Sequence, residues 1–410
     1  MSTVQRYDLY SHDFRLTTHE TYARMRDESP VHVQPGLDGE TPIWFVTRYD
    51  DVAAVLGDNE RFVLDPALAL TPEELAAMRE DVTIAADERV SENLLAKDGE
   101  DHRRLRRLVS SAFTPRMVEQ LRPRIQEIAD ELIDRVADGG AMELVDDFAF
   151  PLPITVIAEL LGIPVEDQSR FREWSSNVVT PALTPEQQEV AARRADEFVA
   201  YLDELFAQRR AEPGPDLVSA LVRAEVEGDH LTENELYGMV VLLIVAGHET
   251  TVSLITNAVH ALLTHPDQLA LLRDDPSLVP GAVEELLRFD SPVERAITRW
   301  AAADVELGGQ RIARGDLVIA VVGSANRDAE RFPHAAELDV RREDTRHVGF
   351  GRGPHFCLGA PLARLETAIA LDTLLRRLPG LRLEIAEDEL YWRPIPLFRS
   401  LAALPVAWDV

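Results

Sequence analysis

The only cysteine in this chain of 410 residues, Cys357, lies in the stretch GFGRGPHFCLG at 349–359, with three glycines before it and one two places after it. Ordering glycine costs more backbone entropy than ordering any other residue, so a loop this rich in it answers a demand of the main chain: positive φ, or close approach to a flat partner. Three readings compete. The G-x-G-x-G piece is reminiscent of a phosphate loop, but no strand pattern leads into it and no G-x-x-G closes it. A lone thiol is ordinarily a small buried hydrophobe. The third reading is a thiolate that binds a metal, and the residues downstream favour it. LGAPLARLETAIALDTLLRRLP, 358–379, has helical period and propensity, which puts Cys357 at the N-terminal approach to a long helix. Unpaired amides and the positive dipole end stabilise a thiolate there. Gly351, Gly353 and Gly359 let the backbone approach a flat ligand and turn amides toward the sulfur, Phe350 covers it, and His355 stands two residues away as a polar hook.

A single cysteine excludes an internal disulfide framework and a cysteine-cluster zinc site. The start, MSTVQRYDLYSHDF, has no apolar stretch of a secretory leader, and the longest apolar run, MVVLLIVAG at 239–247, is too short to cross a bilayer, so the expectation is a cytoplasmic protein with no membrane partner. With 42 basic against 72 acidic residues the net charge of −30 also disfavours nucleic acid. Helical periodicity dominates from about Thr18, as in 120–139, 189–212 and 278–289. Strand-like pieces are few: 30–48 reads as one hairpin and 305–322 as a second around Gly308-Gly309. No repeat or linker divides the chain. The expected fold is mainly α with small β-sheets, a single domain over 1–410.

The spacing F-G-x-G-x-H-x-C-x-G, Phe350 to Gly359, resembles the haem-ligand loop of the cytochrome P-450 family. The resemblance implies a triangular helical prism, with haem b between a long central helix and the cysteine loop and Cys357 as axial ligand. Phe350, Gly351, His355 and Gly359 would shape the loop around it. No C-x-x-C-H is present, so covalent attachment of the haem is not expected.

Four distant segments agree. In 240–265, a mostly apolar helix is interrupted by Ala246-Gly247-x-Glu249-Thr250-Thr251, which looks like the family's oxygen-activating stretch. Ala246 and Thr250 share a face, a small residue and a glycine leave room for dioxygen, and Glu249 and Thr250 supply protons. His248 points away. In EELLR, 284–288, Glu285 and Arg288 resemble the family's structural ion pair, with Arg327 or Arg341 as third member. His102 and Arg106, one turn apart in 97–124, resemble a propionate-binding helix, although the usual D-P-P is replaced by Asp98-Gly99-Glu100-Asp101. Arg299 takes the place of the family's arginine at a strand edge, so that His102, Arg106, Arg299 and His355 surround the propionates.

The resemblance implies a monooxygenase of the soluble bacterial kind, a monomer that uses O2 and receives electrons from NAD(P)H through a ferredoxin and its reductase. Arg103, Arg104, Arg107, Arg352 and Arg364 would form the docking patch for that partner. It also implies a pocket lined by Ile84, Val90 and Leu94, by Leu242, Leu243 and Ala246, and by Val293, Ala296, Ile395 and Leu397, suited to a mainly hydrophobic organic substrate. Secondary metabolites such as macrolides, or xenobiotics, are the substrates that relatives of this kind oxidise. A peroxide-driven peroxygenase and a non-catalytic haem-binding protein are the alternatives. Glu294 and Arg295 fit either the pocket or a surface pair.

Overall fold

Local sequence sets most helix boundaries in this computed structural model, which describes residues 6–81, 92–164, 167, 170–171, 174, 184–226 and 228–410. The first third contains α1 (His12–Leu16), α2 (Thr18–Glu28), α3 (Tyr49–Gly57), α4 (Gly99–Ala112) and α5 (Arg122–Asp134). The middle holds α6 (Pro151–Leu161), α7 (Pro185–Ala211) and α8 (Glu233–Thr264), and the C-terminal part α9 (Val279–Phe289) and α10 (Ala360–Arg377). Thr184 and Thr232 start α7 and α8 with reciprocal side-chain bonds to Gln187 and Glu235, so both long helices open on a capping box.

The axis of the molecule is α8, packed against α6, α9 and α10. Its 32 residues make it long and apolar enough to cross a bilayer, but most of its apolar stretch is buried inside the fold. The run at 239–247 is only the middle of this helix. The polar residues that interrupt its apolar pattern do not break the helix. Each hydroxyl returns to the carbonyl one turn back: Thr250 Oγ1 to Ala246 at 2.9 Å, Ser253 Oγ to Glu249 at 3.0 Å, Thr256 Oγ1 to Val252 at 2.8 Å. Polar side chains are thereby satisfied without breaking the ladder. Gly247 serves helix packing as well, because a Cβ there would meet Ile157 of α6 at 3.2 Å.

Besides the short pair Glu225–Val226 and Asp229–His230, the strands are β1 (Val31–Pro35), β2 (Pro42–Val46), β3 (Phe62–Val63), β4 (Ala141–Glu143), β5 (Arg299–Ala301), β6 (Val305–Leu307), β7 (Gln310–Ile312), β8 (Leu317–Ala320), β9 (Arg382–Leu383) and β10 (Pro405–Ala407). The first hairpin forms as expected, Val31 facing Val46. The second is shorter than its sequence pattern: β6 and β7 pair across Gly308-Gly309, both at positive φ, but β8 leaves them and runs parallel to β2. The resulting sheet has the order β1-β2-β8-β5-β3, and β9-β10-β4 forms a second.

Buried charge ties distant segments together. Glu285 accepts from Arg288 Nε at 2.6 Å and Nη2 at 2.8 Å, both side chains fully buried. The third member is Arg342, whose Nε lies 3.0 Å from Glu285 Oε2. Arg327 instead donates to the Phe289 carbonyl and stacks on its ring, and Arg341 is exposed. Glu294 and Arg295 are neither pocket nor surface. Glu294 binds Arg15 Nη1 at 2.7 Å and the Tyr22 hydroxyl at 2.5 Å, while Arg295 donates to Tyr22 and to the Leu9 carbonyl.

Candidate active site

The cysteine loop docks on the C-terminal end of α3. Gly353 has φ 72°, and a Cβ on it would lie 3.1–3.3 Å from backbone atoms of Gly57 and Leu56, so only glycine fits on both counts. Gly351 is also left-handed, at φ 74°. The Cys357 amide donates to the Phe350 carbonyl at 2.9 Å, which folds the loop back under its own phenylalanine. Gly359 precedes α10 with an ordinary φ of −81°. Burial pushes the Cys357 thiol up, while the amides of Gly359 and Ala360 and the charges of Arg106 and Arg364 pull it down less strongly. The helix-end effect expected from the sequence is therefore present but outweighed, and a cation opposite the sulfur is what this site needs to hold a thiolate.

Above Cys357 is an apolar cavity. Leu242, Leu243, Ala246 and Thr250 of α8 line it together with Cys357, Leu94, Val293 and Ala296. Ile395 and Leu397 do not reach it; their carbonyls bind Arg15 and the amides of Glu294 and Arg295. Ile84 and Val90 lie outside the described residues.

One wall carries polar groups. His102, Arg106, Arg299 and His355 all line the cavity. Arg299 Nη1 is spent on the Phe62 carbonyl at 2.9 Å, but its Nε is buried without a partner among the described residues, as are His102 Nε2 and His355 Nδ1. Three orphaned nitrogens on one wall cost several kcal/mol, at about 1–3 kcal/mol each, unless polar partners fill the space. Burial, with His355 and Arg106 nearby, holds His102 down to about 4, so it is a neutral donor at physiological pH. A flat dianionic acid with an apolar body and a metal centre satisfies this wall, the apolar floor and the thiol together, and haem matches that description.

The organiser of this wall is Asp98, a residue not singled out from the sequence. Its carboxylate accepts the amides of Leu64 at 2.5 Å and Asp65 at 2.9 Å and lies 2.9 Å from His355 Nε2. Burial opposes its charge, but these bonds outweigh it and keep the pKa low. Asp98 thus joins the β3 turn, the start of α4 and the cysteine loop where D-P-P was missing. Gly99, at φ 59°, makes the turn.

Glu249 does not line the cavity. It is buried, with Arg393 Nη1 at 3.4 Å and His248 Nε2 at 3.7 Å from its two oxygens. His248 points away from the cavity, fully buried against Phe150 and 2.8 Å from the Ile244 carbonyl. Of the expected docking arginines, Arg103 and Arg107 share Glu100, Arg104 binds Glu235 and Asp229, and Arg364 binds Glu284. Arg352 is exposed.

A helical fold with a cysteine loop facing a polar-rimmed apolar cavity defines a haem-thiolate protein. Comparison with known proteins agrees: the family Cytochrome P-450 matches residues 37–380. The chain is 46% identical to the monooxygenase PikC of Streptomyces venezuelae, over 97% of this chain and 92% of that one. It is 45% identical to the mycinamicin IV hydroxylase/epoxidase of Micromonospora griseorubida, over 96% of each. The solved structure of PksS, a cytochrome P-450 of the bacillaene polyketide synthase of Bacillus subtilis, superposes with a TM-score of 0.91 at 40% identity, covering 99% of this chain and 100% of that one. The chain belongs to the cytochrome P-450 family. It is a monooxygenase that binds haem b through a cysteine thiolate.

Proposed function

We propose that this enzyme inserts one oxygen atom from O2 into a medium-to-large, mainly hydrophobic secondary metabolite of polyketide type. The observation that carries the reading is the cavity itself: Ala246 and Thr250 of α8 and Cys357 line one and the same space, whose remaining lining is mostly apolar. The names of the mycinamicin IV and bacillaene relatives support the substrate class. Haem, when bound, supplies reductive activation of dioxygen, and Cys357 is the residue that holds its iron. His102, Arg106, Arg299 and His355 would pair its carboxylates, which gives the orphaned His102 Nε2 and Arg299 Nε an acceptor.

The other residues position groups and move protons. The Thr250 hydroxyl donates to the Ala246 carbonyl, which turns its lone pairs toward the cavity as a relay point. Behind it, Glu249 reaches the partly exposed Arg393, and this pair forms the route for protons from the surface. Apolar lining excludes other water from the reacting carbon. Electrons enter from a ferredoxin and its reductase at the face carrying the exposed Arg107 and Arg352, Arg107 meeting Glu100 only at 3.8 Å. The chain works as one domain over 1–410, a cytoplasmic monomer.

The test is the visible spectrum of the purified protein, titrated with macrolides, terpenoids, steroids, fatty acids and small aromatics. A thiolate-haem band that shifts from low to high spin with the macrolides supports the substrate class. A shift with another class alone overturns that class and leaves the monooxygenase standing.

A further inference from the structure

Two adjacent carboxylates on α9 serve different partners. Glu285 belongs to the Arg288–Arg342 network, whereas Glu284 faces the cysteine loop. Its two oxygens accept from Arg364 Nε at 2.6 Å and Nη2 at 2.8 Å, the two-point geometry that suits guanidinium and carboxylate. His347 Nε2 lies 3.2 Å from the same carboxylate. Burial works against the charge on Glu284, but Arg364 and His347 overcome it and bring its carboxyl down to about 2. It is therefore ionised throughout the working range.

Arg364 is held flat by this grip. Its guanidinium carbon lies 4.4 Å from the centroid of the Phe350 ring, and Phe350 in turn receives the Cys357 amide. The chain of contacts runs from carboxylate to guanidinium to the Phe350 ring, and then through the Phe350 carbonyl to the Cys357 amide. A residue expected to greet a redox partner is instead held and neutralised by a carboxylate, although its side chain stays partly exposed.

We propose that Glu284 is a positioning residue for the thiolate: it fixes Arg364 against Phe350 and offsets the guanidinium charge, and so sets the reduction potential of the iron held by Cys357. This rests on Cys357 as axial ligand. An uncompensated positive charge near the sulfur favours uptake of an electron, and an uncompensated negative charge opposes it. The two partners therefore act with opposite sign.

The experiment is a spectroelectrochemical titration of the ferric haem protein and its Glu284→Gln, Arg364→Gln and doubly substituted forms. Glu284→Gln is expected to move the potential upward, Arg364→Gln downward, and the double variant to return close to the parent. Glu284→Asp, which keeps the charge, should stay near the parent as well. Singles that shift in the same direction, with the double shifting further, would mean mere loosening of the loop and overturn the proposal, as would no shift in any form. The parent spectrum, recorded first, separates the two failures: absence of a thiolate-haem band rejects Cys357 as ligand, whereas a normal band with unmoved potentials rejects Glu284 alone.

Discussion

At the residue scale, the groups proposed to carry chemistry were more legible than those that hold them. Cys357 could be found because glycines crowd it, and Thr250 because a hydroxyl in an apolar helix needs a reason. Asp98, Glu284 and Arg342 left no such mark, since an acidic or basic residue in a strongly charged chain looks like a solvated one until its partner arrives from elsewhere in the fold. Glu366 is the clearest such case. It lies on α10 among buried residues, and neither carboxyl oxygen has a partner among the described residues. Burial raises its pKa well above the ordinary value. The folded state therefore keeps a proton that the unfolded chain gives up near pH 4.3, roughly the free glutamate value. Fewer protons bound in the unfolded state means that stability falls as pH rises from there through the folded pKa. Glu366→Gln removes that loss. The variant should gain thermal stability over the parent at pH 8 and little or none at pH 5. A deficit of equal size at both pH values would show that Glu366 has a partner that the carboxylate serves.

At the element scale, helices were read well because period and caps are local, and sheets less well because pairing is not. Nothing in 305–322 says that β8 leaves its hairpin to lie beside β2; the decision belongs to the distant partner strand. The same non-local logic governs the cavity roof. A Cβ on Gly238 of α8 would strike the backbone of Glu92, with the carbonyl carbon at 2.7 Å and the oxygen nearer still. Residues 92–97, which carry Leu94 and Leu95 into the cavity and are tied by the Lys97–Glu92 pair at 2.6 Å, thus rest directly on a glycine. Backbone cannot yield as a side-chain tip can, and overpacking of this kind costs about 1–3 kcal/mol. Gly238→Ala is expected to lift the loop and change the dissociation constant of a spin-shifting ligand by several-fold, with bulky ligands losing least. Gly281→Ala, where a Cβ meets nothing within 4 Å, is the control and should leave binding unchanged. Equal constants for parent and Gly238→Ala would show that the loop does not depend on this contact.

At the scale of the whole molecule, the sequence pattern conveyed class and chemistry but not how the ends are joined to the middle. The first helices are anchored by Arg15, which binds Glu294 through Nη1 and the Ile395 carbonyl through Nη2 at 2.6 Å, so one side chain links three remote parts of the chain. Arg399 completes the knot by reaching Asp290 at 2.7 Å and the Arg15 carbonyl at 3.1 Å. Glu294 and Arg295 could not be placed from sequence because their partners lie some 270 residues upstream, in Arg15 and Tyr22. Glu294 is the sole carboxylate shared by Arg15 and Arg295 among the described residues, and all three are almost wholly buried. Removing it leaves two desolvated guanidinium groups facing each other, whereas removing Arg15 leaves the remaining pair neutral. Glu294→Ala should therefore cost about 3–5 kcal/mol, the usual penalty for an orphaned buried charge, and Arg15→Ala less. Denaturant titration followed by tryptophan fluorescence and by the haem band reads both. None of the knot's own side chains lines the cavity, so the tryptophan signal, which includes Trp44 of β2, should move first and the haem band should follow only at higher denaturant. Loss of both signals together in Glu294→Ala would mean instead that the N-terminal segment and the haem site unfold as one unit.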